Sequence, residues 1–146
     1  MKLKQLSLFL QNEPGALTVP CRALAAAGVN IMTFSLADTQ QYGILRIIVR
    51  DWEKAKAVLE DSGCLVKVTD VVAVEVLNRP GGLLAVLEVL EQAQVNVEYV
   101  YAFTVKRGDK GVLVFRFGDT EAAIKTLQAG GIHVMNDAEL ADRLQD

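Results

Sequence analysis

The sequence is poor in the residues that most often do chemistry or staple a fold. It holds one histidine and two cysteines among 146 residues. Neither Cys21 nor Cys64 has a Cys or His neighbour at the spacing of a zinc site or redox motif. Both read as buried free thiols, and no metal or cofactor is implied. His133 has no acid or nucleophile close in sequence, so a surface or packing role is expected for it. A Ser/His/Asp set, paired carboxylates in a glycine-bounded loop and a phosphate-loop lysine are all missing, which argues against an enzyme. Positive charge is not in excess either: 15 Lys and Arg stand against 18 Asp and Glu, a net charge of −3. The densest basic group, Lys106-Arg107-Gly108-Asp109-Lys110, reads as a solvated hairpin turn, and nucleic acid is not an expected partner. No apolar run approaches the ~18 residues of a membrane span. Met1 to Leu10 is broken by Lys4, Gln5 and Ser7 and reads as a first strand instead of a signal peptide. The expectation is a soluble, cytoplasmic protein without membrane contact.

What the sequence does hold is apolar surface and an internal repeat. Apolar residues make up 51% and charged residues 23%, enough to bury a core. Asn12-Glu13-Pro14-Gly15-Ala16-Leu17 is matched by Asn78-Arg79-Pro80-Gly81-Gly82-Leu83, and Val29-Asn30 recurs as Val95-Asn96 at the same offset. Farther on, Asp51, Ala55, Leu59 and Gly63 match Asp119, Ala123, Leu127 and Gly131 at an offset two residues longer. The insertion lies between Asn96 and Asp119, and the turn from Lys106 to Gly111 is the expected place, because loops tolerate length changes.

Each copy reads as strand, helix, strand, strand, helix, strand. The first has a strand at Leu6 to Leu10, a helix at Gly15 to Ala27, strands at Val29 to Ala37 and Ile44 to Val49, a helix from an Asp51 cap to Glu60, and a strand at Cys64 to Val68. The second has strands at Val72 to Leu77, Val95 to Val105, Val112 to Phe117 and Ile132 to Met135, with helices at Gly81 to Gln92 and Thr120 to Ala129. The expected fold class is α+β: two tandem ferredoxin-like βαββαβ units with antiparallel sheets and helices on one face. The expected domains are residues 1–69 and 70–136, followed by a helical tail at 137–146. Thr69-Asp70 is too short for a flexible linker, which predicts a fixed packing of the two units. Pro20, inside the first predicted helix, should kink it or make its opening turn irregular.

The repeated Asn-x-Pro-Gly-x-Leu falls between a strand and a helix. Proline suits a helical first turn, and glycine lets backbone approach a ligand. The unpaired N–H groups of that turn and the positive end of the helix dipole favour a carboxylate or another small anion. Asn12 and Asn78 can cap the helix or donate an amide hydrogen bond to a ligand. The same pattern is also a good turn and helix start on physical grounds alone.

On these loops, and on Gly28-Val29-Asn30-Ile31 echoed by Gln94-Val95-Asn96-Val97, the chain resembles the ACT domain, a βαββαβ module that binds amino acids in regulatory regions. The resemblance spans nearly the whole chain as two copies. It implies a ligand held between paired units, with Asn12, Gly15, Ala16 and Leu17 opposite Asn96 and Val97, and Asn78, Gly81, Gly82 and Leu83 opposite Asn30 and Ile31. Glu13 and Arg79 hold the same place in the two copies, so the Arg79 loop is expected to capture a carboxylate better. The implied function is a non-catalytic amino-acid sensor, acting through ligand-dependent interfaces, with a homodimer expected. The alternative is a regulatory or assembly subunit of a biosynthetic enzyme such as acetolactate synthase.

Overall fold

The computed structural model describes residues 1–38, 40–103 and 108–143. Its elements are β1 (Leu3–Gln11), α1 (Thr18–Ala26), β2 (Thr33–Asp38), β3 (Tyr42–Ile48), α2 (Trp52–Asp61) and β4 (Val66–Leu77), then α3 (Gly82–Gln92), β5 (Val97–Ala102), β6 (Lys110–Phe117), α4 (Thr120–Ala129), β7 (His133–Met135) and α5 (Asp137–Arg143). The chain divides into an N-terminal unit, Lys4–Thr69, and a C-terminal unit of Asp70–Asp146 together with Met1–Leu3. The expected strand end at Val105, the first two residues of the expected 106–111 turn and the last three of the expected helical tail, 144–146, lie outside the described residues.

In the N-terminal unit β1 and β2 both pair antiparallel with β3, setting Leu6 and Phe34 beside Ile47, and Leu8 and Leu36 beside Leu45. The alternation of side chains along a strand puts Leu6, Leu8, Leu45 and Ile47 on one face. They pack there against Leu24 of α1 and Ala55 and Leu59 of α2. Trp52 packs on the same core, the anchoring role its place beside the Asp51 cap suggests. The C-terminal unit repeats the plan in the order β7-β4-β6-β5. Val72 and Val74 of β4 and Phe115 and Phe117 of β6 meet Val86 and Leu90 of α3 and Ala123 and Leu127 of α4. This is the ferredoxin-like α+β arrangement, an antiparallel sheet with two helices over one face.

Local chemistry explains where the elements start and stop. Asp51 Oδ1 accepts from the Lys54 N–H at 3.1 Å, and Asp119 Oδ1 accepts from the Ala122 N–H at 3.1 Å, so both second helices are capped by the repeated aspartate. Helices α1 to α4 all end with the same reach of an apolar amide back over the last turn: Val29 to Leu24 O, Cys64 to Leu59 O, Val95 to Leu90 O and Ile132 to Leu127 O, at 2.9–3.0 Å. The residue before each of those amides is left-handed: Gly28, Gly63, Gln94 and Gly131. This corrects the second strand of each copy, which begins at Thr33 and Val97 instead of Val29 and Val95, because those two valines belong to helix ends.

Two other expectations are corrected. No junction separates a strand ending at Val68 from one starting at Val72; β4 runs unbroken through Thr69 and Asp70, which stand among β-branched residues with no glycine or proline to stop an extended chain. The helix of the first repeat begins at Thr18, not Gly15, so Pro20 lies in its first turn, where a missing N–H removes no intrahelical bond. The irregular opening occupies 14–17, while α3 begins at Gly82, the place equivalent to Ala16.

Candidate functional site

The two Asn-x-Pro-Gly loops share one backbone design. Glu13 N–H bonds Gln11 O and Ala16 N–H bonds Glu13 O; Arg79 N–H bonds Leu77 O and Gly82 N–H bonds Arg79 O, all at 3.0–3.2 Å. Gly15 and Gly81 sit at φ +87° and +88°, and nothing lies within 4 Å of where their β-carbons would be. Glycine is therefore required there by backbone conformation, not by close approach. The crowded glycine is Gly82, where a β-carbon would fall 2.0 Å from Leu77 O.

Neither asparagine caps its helix. Asn12 instead ties its loop to the β2–β3 turn, its N–H bonding Gln41 O and its Nδ2 donating to Gln40 O, each at 3.0 Å. Asn78 N–H makes the equivalent tie to Asp109 O at 2.6 Å. The first turns of α1 and α3 have no side-chain cap, although Val19 N–H is taken by Gly15 O and Gly82 N–H by Arg79 O.

Within each unit the two halves of the repeated motif lie at opposite ends of the sheet. Leu77, just before Asn78, pairs with Lys110 at one end of β6, and Val97 pairs with Phe117 at the other. That length of strand is about 23 Å at ~3.3 Å per residue. In the first unit Gln11 pairs with Tyr42, while Thr33, just after Asn30 and Ile31, pairs with Ile48. Ile31 and Val97 pack on their own cores, and Asn30 and Asn96 are exposed. A unit taken by itself does not bring Asn30 or Asn96 to its own loop.

The C-terminal unit does bring other residues to the loop. A cavity of about 400 Å³ opens where β7 parts from β4. Strand pairing holds Glu75 to His133, and beyond that pair Val76 and Leu77 face Gly131 and Ile132 across the gap. The start of α3, with Arg79, Gly81 and Gly82, forms one wall, and Val76, Ala85, Val86 and Ile132 supply apolar lining. Glu75, Lys110 and His133 complete the rim. Glu75 is engaged by Lys110 Nζ at 3.4 Å and Arg143 Nη1 at 2.8 Å, and His133 Nε2 lies 2.5 Å from Glu139 Oε2. Asn78 and Leu83 line a neighbouring cavity of about 280 Å³ with Ala102 and Phe103. Among the described residues, no three His, Cys, Asp or Glu side chains converge as metal ligands would, and no helix is long and apolar enough to cross a membrane.

A duplicated βαββαβ unit with matching strand-to-helix loops is what the sequence profile of the ACT domain pair describes, and that profile matches residues 1–144. The chain belongs to the ACT domain pair family. A protein from Bacteroides thetaiotaomicron, BT0572, is similar in sequence and structure: 34% identity, 96% of each chain covered, TM-score 0.89. The regulatory subunit of aspartate kinase from Thermus thermophilus shares the fold at 15% identity and TM-score 0.64, over 87% of this chain and 91% of that one. Clostridium acetobutylicum aspartate kinase matches at 14% identity and TM-score 0.57, over 88% of this chain but 33% of its own length. No curated protein matches the chain by sequence.

Of the residues lining this cavity of the ACT pair, the sequence pattern singled out Arg79, Gly81 and Gly82 and did not single out Glu75, Lys110 and His133. Glu75 carried a signal, being the only charged residue in the apolar run Val71 to Leu77. Lys110 passed for a solvated turn residue and His133 for a bland one. Their places at the cavity come from cross-strand register, which no local pattern reports.

Proposed function

We propose that this ACT pair is a regulatory protein without chemistry of its own that binds an amino acid at the start of α3. One observation carries the reading: a single cavity is lined by Arg79 and the start of α3, by Glu75 and by apolar residues. A carboxylate is favoured at a helix N-terminus beside a guanidinium, an ammonium at a carboxylate, and a side chain on the apolar walls. An amino acid is the small molecule that offers all three. The regulatory character of the ACT pair, and of the aspartate kinase subunits that share the fold, supports the same reading. The N-terminal loop, Asn12 with Gly15, Ala16 and Leu17, is proposed as a weaker site because Glu13 stands where Arg79 does. Asn30, Ile31, Asn96 and Val97 lie at the far end of their own sheets and belong to the proposed contact set only as residues supplied by a paired unit.

A thermal screen of the common L-amino acids tests this. A cognate ligand at ~100 times its Kd should stabilise the fold by about 2.7 kcal/mol, a rise in Tm of roughly 5–10 °C for a chain of this size. Its α-amide should do much less. Arg79→Ala should weaken binding about 10-fold, the loss of one charged hydrogen bond. Equal stabilisation by acid and amide, or no loss in Arg79→Ala, would overturn the assignment of the carboxylate to this loop.

A further inference from the structure

The charged side chains Glu75, Lys110 and His133 of the second repeat have counterparts in the first, and the counterparts are apolar. Phe9 stands in the place of Glu75, at the offset that matches Asn12 to Asn78. Tyr42 stands for Lys110 and Leu65 for His133, at the offset that matches Gly63 to Gly131. Strand register agrees: Phe9 pairs with Ile44 and Gln11 with Tyr42, as Glu75 pairs with Val112 and Leu77 with Lys110. The neighbours of Leu65, Cys64 and Val66, pack on their core as the neighbours of His133, Ile132 and Val134, pack on theirs. Alternation along the strands therefore turns Leu65, Phe9 and Tyr42 away from the helices of their unit, in one row across the sheet. Phe9 is 50% exposed, Tyr42 55% and Leu65 72%. Together they expose on the order of 300 Å² of apolar surface, the size of the largest and often functional patch on a monomer.

In the second repeat the equivalent place is the seat of a helix. Glu75 Oε2 accepts from Arg143 Nη1 at 2.8 Å, and His133 Nε2 meets Glu139 Oε2 at 2.5 Å, so α5 lies across those two side chains. Glu139 and Leu140 each neighbour Arg143 on the helix surface, and Leu140 is 2% exposed. The first repeat has no such helix, because Thr69, the counterpart of Asp137, lies inside β4 and the chain runs on as strand. We propose that Leu65, Phe9 and Tyr42 are the equivalent seat in the first repeat, and that it takes a helix of another protein. Charge complementarity says which helix fits. Where α5 sets Glu139 and Arg143 against His133 and Glu75, this seat offers Leu65 and Phe9, which would strip a charge of water and return no partner. The occupant is an amphipathic helix with apolar residues at i, i+1 and i+4, the places of Glu139, Leu140 and Arg143. A second copy of this chain fits less well: its α5 carries charges at two of those places, and the row is far smaller than the ~800 Å² each partner gives to a stable dimer. The inference goes beyond the amino-acid reading and does not depend on it.

The test is fluorescence anisotropy of a labelled helical peptide, built of alanine, glutamate and lysine with leucines at i, i+1 and i+4, titrated with the full chain. It should bind, and the shifts it causes in the NMR spectrum of the chain should centre on Phe9, Tyr42 and Leu65. Giving the first repeat the residues of the second, Phe9→Glu with Leu65→His, should weaken binding about 10-fold or more, the worth of one large apolar side chain. Both residues are exposed, so the Tm should hardly move. Tyr42→Lys, the third exchange, should also weaken binding and serves if the double variant does not fold. A peptide with glutamate at i and arginine at i+4, as in α5, should bind the natural chain about 10-fold more weakly. No binding of the leucine peptide, or binding as tight to the folded variants, would overturn the proposal. So would a stable dimer that Phe9→Glu dissociates, because a second copy would then hold the seat.

Discussion

At the scale of single residues, equivalent positions in the two repeats obey different constraints. Gly82 and Ala16 hold the same place, yet a β-carbon at Gly82 would meet Leu77 O at 2.0 Å. Gly82→Ala should therefore destabilise the chain by about 3 kcal/mol, the upper end for overpacking, whereas Ala16→Gly should change stability by less than about 1 kcal/mol. Chemical denaturation of the two variants measures both, and equal losses would contradict the crowding. Gly15 and Gly81 fail for another reason, since a left-handed residue with a β-carbon costs roughly 1–2 kcal/mol. A valine there would strain the loop whether or not a ligand approaches it, so Arg79→Ala is the cleaner probe of binding. Cys21 and Cys64 are half-buried, not buried as expected, and the partial burial of Cys64 pushes its thiol above its ordinary value. Because the thiolate is the reactive form, alkylation of Cys64 at neutral pH should be slower than that of a free peptide thiol and should accelerate as pH rises. A rate equal to the free thiol's would contradict this partial burial.

At the scale of elements, the four helix ends built alike differ in one residue. Gln94 is left-handed at φ +58° where Gly28, Gly63 and Gly131 serve the other helices. Gln94→Gly should stabilise the chain by about 1 kcal/mol, because glycine adopts this conformation without the penalty a β-carbon brings. A shift of the denaturation midpoint to higher denaturant, at constant slope, is the expected result. At the other end of α1, Pro20 is buried within the first turn. Its replacement by alanine should not give back the ~3 kcal/mol that a proline in a helix interior costs, since no hydrogen bond is missing there.

At the scale of the whole molecule, the first residues of the chain serve the unit built by its second half. Met1–Leu3 group with Asp70–Asp146. Leu3 is 2% exposed, and Lys2 Nζ lies 2.8 Å from Glu121 Oε1 on α4. Removing Met1–Leu3 should cost about 2–3 kcal/mol, chiefly the burial of Leu3, and should speed amide exchange in Thr120–Ala129. Unchanged exchange in α4 would contradict the tie. The ion pair sets a pH window within this effect. The hydrogen bond that Lys2 donates to Glu121 holds the carboxyl below its ordinary value and raises the Lys2 ammonium above its own. The contribution is thus present between the ordinary carboxylate and lysine ranges. It fades as pH falls through the lowered Glu121 value or rises through the raised Lys2 value. Both side chains are exposed, so salt should weaken the pair as well.

By itself the sequence determined the duplication, the ACT resemblance, the aspartate caps of α2 and α4, and the repeated glycine turns at Gly15 and Gly81. All of these rest on periodicity, turn chemistry and capping, which act over a few residues and leave a local pattern. Tertiary structure decided the unbroken course of β4, the allegiance of Met1–Leu3, and the gathering of Glu75, Lys110 and His133 beside the α3 loop with α5 tied to their rim. Those outcomes depend on strand register and on ion pairs between residues far apart in the chain, where a single charged side chain in an apolar run is the only trace left in the sequence.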